Sequence, residues 1–156
     1  MAENTQQPDA IFSVEKVYIK DASYEAPNAP RIFIEGQAQP QLNIHLDIEH
    51  SGFDDAKGMY EVVLAVTATA KHQETTLFLA EAHQAGLFRI VGVPPGDLPK
   101  ILEIACPNIL LPFIREVINE MVTKGGFPQL LINPVNFDAL YEQKHAAKQQ
   151  QAGNLQ

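Results

Sequence analysis

Tryptophan is absent from this 156-residue chain, and Cys106 is its only thiol. One cysteine excludes an intrachain disulfide framework and a cysteine-built zinc centre. No apolar run approaches the roughly 18 residues of a membrane-spanning helix, so direct membrane insertion is not expected. The opening MAENTQQPDA has neither a basic stretch nor an apolar one, and predicts no secretory signal. The sequence holds no GxGxxG, Walker loop, HExxH or GxSxG. Positive charge is scarce in the first half. Residues 1–85 carry thirteen acidic and five basic side chains, whereas residues 86–156 carry six of each. The whole net charge of −8 therefore lies in the first half. Such a field repels phosphate backbones, which argues against nucleic acid and for a basic protein or cationic segment as partner.

What is present is the material of one α+β domain spanning residues 1–156. Apolar residues make up 46% of the chain. A chain of this length buries about 69% of its extended surface, enough for a real core. The composition is that of a soluble, reduced-compartment, cytoplasmic protein, with loose tails at about 1–9 and 149–156. All eleven prolines fall at residues 8–40 and 94–134, which leaves 41–93 uninterrupted. Within that window, Leu42 to Glu49 alternates branched aliphatic and polar residues strictly, the pattern of a half-buried strand. A polar connection, Ser51 to Gly58, leads to a second strand over Tyr60–Ala70. A short turn at Lys71–Glu74 gives a third, from Thr75 to His83 or beyond. An earlier strand, Ile11–Lys20, carries apolar residues at both parities: Phe12, Val14 and Tyr18 against Ile11, Val17 and Ile19. Strict alternation would leave both of its faces apolar, in need of cover or of a subunit partner. Residues 22–36, with Pro27 and Pro30, read as a long crossover loop.

Beyond Val93 the period becomes helical. A short helix is expected over Leu98–Ala105. The main helix starts near Asn108, so that Pro112 falls in its first turn, and ends at Gly125-Gly126. A last helix, opened by Asn136 or Pro134, runs to about Gln150 with Phe137, Leu140, Tyr141 and Lys144 on one stripe. Strands first and helices later place the helices on one side of a sheet.

Candidate chemistry is thin. Alternation puts His45, Asp47 and Glu49 on one strand face beside His50, a conceivable metal or acid–base site, but a solvated strand face needs the same residues. His72 and His83 sit where a hairpin can bring them face to face. Cys106, before Pro107, has no signature of a catalytic thiol and reads as inert and partly buried. No catalytic residue, metal site or cofactor is expected. Apolar residues in loops are more informative. Phe33, between Ile32 and Ile34, and the group Phe127, Leu130, Leu131 and Ile132 are either plugs for the core or the lining of a groove for apolar segments of another chain.

Longer strings then carry a resemblance. Lys20-Asp21-Ala22-Ser23-Tyr24-Glu25-Ala26-Pro27-Asn28-Ala29-Pro30 and Cys106-Pro107-Asn108-Ile109-Leu110-Leu111-Pro112-Phe113-Ile114-Arg115-Glu116 closely resemble hallmark strings of SecB, the bacterial protein-export chaperone family. Tyr60-Glu61-Val62-Val63-Leu64, Phe127-Pro128-Gln129-Leu130 and Pro134-Val135-Asn136-Phe137-Asp138-Ala139-Leu140 do so as well, in the same order from about Ile11 to Tyr141. The resemblance implies a four-stranded antiparallel sheet with two helices on one face, assembled as a homotetramer, a dimer of dimers. The first strands pair across the dimer, and the long helices lie between dimers. It also implies an ATP-independent activity: unfolded secretory precursor proteins are held in apolar grooves and delivered to the SecA motor. The groove positions it points to are Phe33, Leu42, Ile44, Leu46 and Tyr141. For Leu42, Ile44 and Leu46, ordinary core under the helices is the competing reading. The SecA-binding positions it points to are Asp21, Glu25 and Glu81, with Leu79 as an apolar neighbour, meeting a basic, zinc-containing segment. Two alternatives differ from this: a client-specific SecB-like adaptor, such as one dedicated to an antitoxin, and a small-ligand-binding α+β domain.

Overall fold

Four long strands grow out of the alternating segments. The computed structural model describes residues 9–36 and 39–153; 1–8, 37–38 and 154–156 lie outside it. The strands are β1 (Ile11–Glu25), β2 (Gln41–Asp54), β3 (Met59–His72) and β4 (Thr75–Val91). They form one sheet in the order β1-β4-β3-β2, antiparallel throughout. β1 and β2 are neighbours in sequence but lie at opposite edges, which is why their connection is long. That connection carries a one-turn helix, α1 (Arg31–Ile34), where an irregular loop was expected. β2, β3 and β4 follow as a meander, with a tight turn in which Gln73 has φ 53°.

β1 corrects the two-faced expectation. Its pairing with β4 skips a residue between Val14 and Lys16 and again between Ile19 and Asp21. Each skip is a bulge that reverses the parity of everything after it. Phe12, Val14, Val17, Ile19, Ala22 and Tyr24 thereby share one face, opposite Ile90, Phe88, Gly86, Gln84, Ala82 and Ala80 of β4. Four of the six apolar residues of the Ile11–Lys20 segment thus point the same way.

That inner face is covered by the helical layer. Val62, Leu64, Val66, Ala68 and Ala70 of β3 and Phe78, Ala80, Ala82, Phe88 and Ile90 of β4 are buried against it. Small residues in the sheet let the long helix settle close. A Cβ on Gly86 would stand 3.0 Å from Leu110 and 2.6 Å from the Phe88 ring. The helical rod is continuous: α2 (Leu98–Lys100), a π-helical turn (Ile101–Ala105) and α3 (Cys106–Lys124) run together. This overturns the expected start at Asn108. Pro107 lies where the π-helical turn passes into α3, while Pro112 stays inside the helix. Burial of Leu110, Leu111, Ile114, Ile118 and Val122 against the sheet outweighs the one backbone bond that Pro112 removes.

The helix ends as the sequence predicts. The Phe127 N–H reaches the Val122 carbonyl, the Gly126 N–H reaches that of Thr123, and Gly126 takes φ 91°. This is a Schellman cap. Asn136 caps α4 (Phe137–Gly153) by accepting from the Ala139 N–H at 3.1 Å. α4 passes the expected end at Gln150, so residues 149–153, expected in a loose tail, are helical.

Candidate functional site

The sheet has two chemically different sides. Directly opposed residues of an antiparallel pair share a face. Asp21 lies opposite His83, Ser23 opposite Glu81 and Glu25 opposite Leu79. Asp21, Glu25, Leu79 and Glu81 therefore gather on the outer face, away from the helices. Glu81 Oε1 lies within hydrogen-bond distance of His83 Nε2, at 3.0 Å. Across β3 the same face continues to β2, where His45, Asp47 and Glu49 pair with Thr67, Ala65 and Val63. His45, Asp47, Glu49, Glu81 and His83 line a depression of about 190 Å³. The alternation that put His45, Asp47 and Glu49 together is thus present, but the described residues hold no group of three His, Cys, Asp or Glu arranged for a metal ion. His72 and His83 do not meet: His72 sits opposite Thr75 at the hairpin end, and His83 opposite Ala65. Cys106 is fully buried, and burial pushes its thiol up to about 12, the opposite of an activated nucleophile.

One charged cluster on this face escaped the sequence. Glu61 of β3 is 8% exposed. Lys20 Nζ donates to its Oε1 at 2.7 Å, and the Tyr18 hydroxyl donates to its Oε2. Burial pushes the Glu61 carboxyl up, but the hydrogen bonds from Lys20 and Tyr18 outweigh it and hold the group below the ordinary carboxylate value. Burial, with Glu61 alongside, raises the Tyr18 hydroxyl to about 12. Forty-one residues separate Lys20 from Glu61, and no local pattern announces the pair.

The helix side is apolar and graded. Leu42, Ile44, Leu46 and Ile48 face it from the edge strand β2, opposite Ala70, Ala68, Val66 and Leu64. Leu42 is 44% exposed and Ile48 9%, with Ile44 and Leu46 half-buried between them. The strand is therefore core at one end and open surface at the other. Leu42 borders a cavity of about 630 Å³ whose other lining residues, Gln41, Asn43, Thr69 and Lys71, have outer-face parity, so this cavity is not part of the helix-side groove. Leu46 and Ile48 border one of about 250 Å³ against Leu140, Lys144 and Ala147 of α4. Tyr141 is half-buried and packs against His145 with the rings tilted at 52° and centroids 4.2 Å apart; it does not line that cavity.

The loop apolars split. Ile32, Phe127, Leu130 and Ile132 are core plugs, whereas Ile34 is 79% exposed and Leu131 64%. Phe33 is 46% exposed at the end of a chain of rings. It packs on Phe127 at 5.3 Å, Phe127 on Phe78 at 5.0 Å, and Phe78 on Tyr24 at 6.1 Å. Tyr24 and Phe78 were not singled out by the sequence. Phe78 follows the even parity of its strand, a usable signal; Tyr24 lay in what read as loop.

Known proteins resemble this chain. Residues 3–149 match the family described as Preprotein translocase subunit SecB. The protein-export protein SecB of Thiobacillus denitrificans is 45% identical over 153 residues, 98% of this chain and 97% of the relative. That of Chromobacterium violaceum is 49% identical over 149 residues, 96% of this chain and 97% of the relative. A Mycobacterium tuberculosis SecB-like chaperone, solved in complex with a ChAD peptide from an antitoxin, has the same fold. Its TM-score is 0.66 at 13% identity, over 80% of this chain and 91% of that one. The family match, the identity to the curated relatives and the shared fold agree: the chain belongs to the SecB family of protein-export chaperones.

Proposed function

We propose that this chaperone works in the cytoplasm as a homotetramer that holds unfolded secretory precursors on its helix side and passes them to SecA through its outer face. The observation that carries the reading is the segregation of the two surfaces. Asp21, Glu25 and Glu81 gather with Leu79 on one side of the sheet, and Phe33, Leu42, Ile44 and Leu46 lie on the other or in the crossover connection. A client in the apolar grooves thus leaves the acidic face free for a second partner.

Unfolded chains expose apolar segments, and grooves on several protomers hold them by avidity. Binding only the unfolded state lowers the population able to fold, with no nucleotide needed. The acidic face attracts a cationic segment over distance. Assembly is supported by apolar surface that the single chain leaves open. Edge strand β1 contributes, with Phe12, Val14 and Ile19 each more than 40% exposed. Tyr141 enters the client groove in this reading only at its rim.

Native mass spectrometry tests the proposal. The protein is measured alone and after dilution of a chemically unfolded secretory precursor into it. A tetramer that retains the unfolded chain and ignores the folded one is expected. A monomer, or a tetramer indifferent to unfolded chains, refutes it; retention of one preferred partner alone would indicate a dedicated adaptor. For the second face, binding to purified SecA should weaken steeply with salt and disappear in Asp21→Lys or Glu81→Lys, with client retention unchanged. Unchanged SecA affinity in both variants removes the acidic face from the mechanism.

A further inference from the structure

We propose that Lys20 and Glu61 are positioning residues for the outer face: their ion pair fixes the β1 bulge that turns Asp21 and Glu25 towards Glu81. The proposal rests on the acidic-face reading above.

The register carries the argument. Lys16 and Tyr18 lie opposite Leu87 and Ala85, on the outer face. Strict alternation from there would send Ala22 and Tyr24 outward and Asp21, Ser23 and Glu25 inward, under the helices. The skipped residue between Ile19 and Asp21 is Lys20. Because it is unpaired, parity reverses, and Asp21, Ser23 and Glu25 emerge opposite His83, Glu81 and Leu79. The same reversal sends Tyr24 inward onto Phe78. A bulge of this kind re-aims side chains.

Lys20 is therefore the hinge of the register, and its side chain is held. Its Nζ reaches past β4 to Glu61 of β3 at 2.7 Å, where Tyr18 occupies the other carboxylate oxygen. Tyr18 is tied once more, since the Gln84 side-chain amide donates to its carbonyl at 3.0 Å. A buried carboxylate thus grips the strand on both sides of Ile19, immediately before the parity change. Without it, a register slip of one residue would carry the acids to the wrong face.

The test exploits a sign. Lys20→Met makes the outer face more negative, so a surface acting by charge alone binds a cationic partner more tightly. A positioning role predicts weaker binding, by about fivefold or more. The full tetrameric protein is titrated with purified SecA at constant ionic strength, with client retention and thermal midpoint measured alongside. The Lys20 side chain is half-exposed at 52%, but Lys20→Met leaves the buried Glu61 carboxylate without its cation, so binding is compared well below the thermal midpoint of each variant. Tyr18→Phe, which changes no charge at neutral pH, should also weaken SecA binding, while Lys20→Arg should restore it. Amide exchange over residues 21–25 should quicken in Lys20→Met. Equal or tighter SecA binding by Lys20→Met, where Asp21→Lys abolishes it, overturns the positioning role and leaves the acidic face standing. Unchanged binding in Asp21→Lys overturns the acidic face itself.

Discussion

Substituting serine along β2, one residue at a time at Leu42, Leu46 and Ile48, separates capture from folding because burial is graded along one strand face. Fully burying a leucine or isoleucine side chain contributes about 1.5–3 kcal/mol. Leu42 is 44% exposed, so about half of that is realised in the lone chain, and Leu42→Ser costs roughly 1 kcal/mol. For a chain of this size that is about 2–4 °C in Tm. Ile48, at 9% exposure, loses nearly all its burial and leaves a hydroxyl in the core, so Ile48→Ser costs about 3–5 kcal/mol. Leu46 falls between. Client binding should follow the reverse order per unit of stability lost. If Leu42 lines a client groove as proposed, covering the rest of it contributes about 1 kcal/mol, about fivefold in affinity for each groove occupied. The assay is dissociation of a labelled unfolded precursor, with melting and native mass recorded for each variant. Leu42→Ser and Leu46→Ser should release the client several-fold faster while the protein stays folded. Release rates within about twofold of the parent in both, with Tm preserved, would refute the groove assignment. Unfolding of Leu42→Ser would instead make the whole strand core.

Three other perturbations test the fold around these surfaces. Glu61 is held below its unfolded value of 4.5, so its stabilisation is present above that pH and is lost as pH falls through the lower folded value. Denaturant melts from pH 7 downward should show acid sensitivity beginning near pH 4.5, and this loss should shrink in Lys20→Met, which removes a hydrogen bond that holds the folded value down. Gly58 takes φ 66°, and a Cβ there would collide with the Ile90 carbonyl and stand 2.7 Å from Val91 Cγ2. Gly58→Ala should cost about 3 kcal/mol, from positive φ and overpacking together, and wild-type stability would contradict the turn geometry. Cys106, with its thiol raised to about 12 and no exposed surface, should resist maleimide at neutral pH in the native protein and react fully after denaturation; prompt native labelling would show that the helical rod opens.

Strand existence was legible wherever one face is wet and the other dry. Leu42–Glu49 alternates without a fault because β2 pairs with β3 without a bulge until Gly52. The helix end at Gly125-Gly126 was legible for a local reason too, since a Schellman cap needs only a residue that accepts φ 91°. The start of that helix was not. Pro112 argues locally for a first turn, and what overrides it is burial of α3 against β3 and β4, a contact between segments far apart in sequence. Site residues divide in the same way. Glu81 and Leu79 share strand parity along one strand, so their common face could be read directly; Asp21 and Glu25 could be placed beside them only through the family resemblance.

The reason lies in Lys20. Parity is a reliable guide only between bulges, and β1 has two within its first eleven residues. A bulge leaves no compositional mark when the inserted residue is a lysine on a mostly polar strand end. Its partner here, Glu61, lies on a strand two places away in the sheet and forty-one residues along the chain. Long-range ion pairs are invisible to period, yet this one decides which side of the sheet receives the acids and which receives Tyr24. The two surfaces are therefore linked at one point. The residue that turns Asp21 and Glu25 outward also turns Tyr24 inward onto Phe78, at the foot of the ring chain that ends in Phe33. Loss of the bulge would disturb both surfaces, whereas loss of a single acid would disturb one. That asymmetry is why Lys20→Met, with its side chain half in solvent, is informative beyond any substitution of the acids themselves.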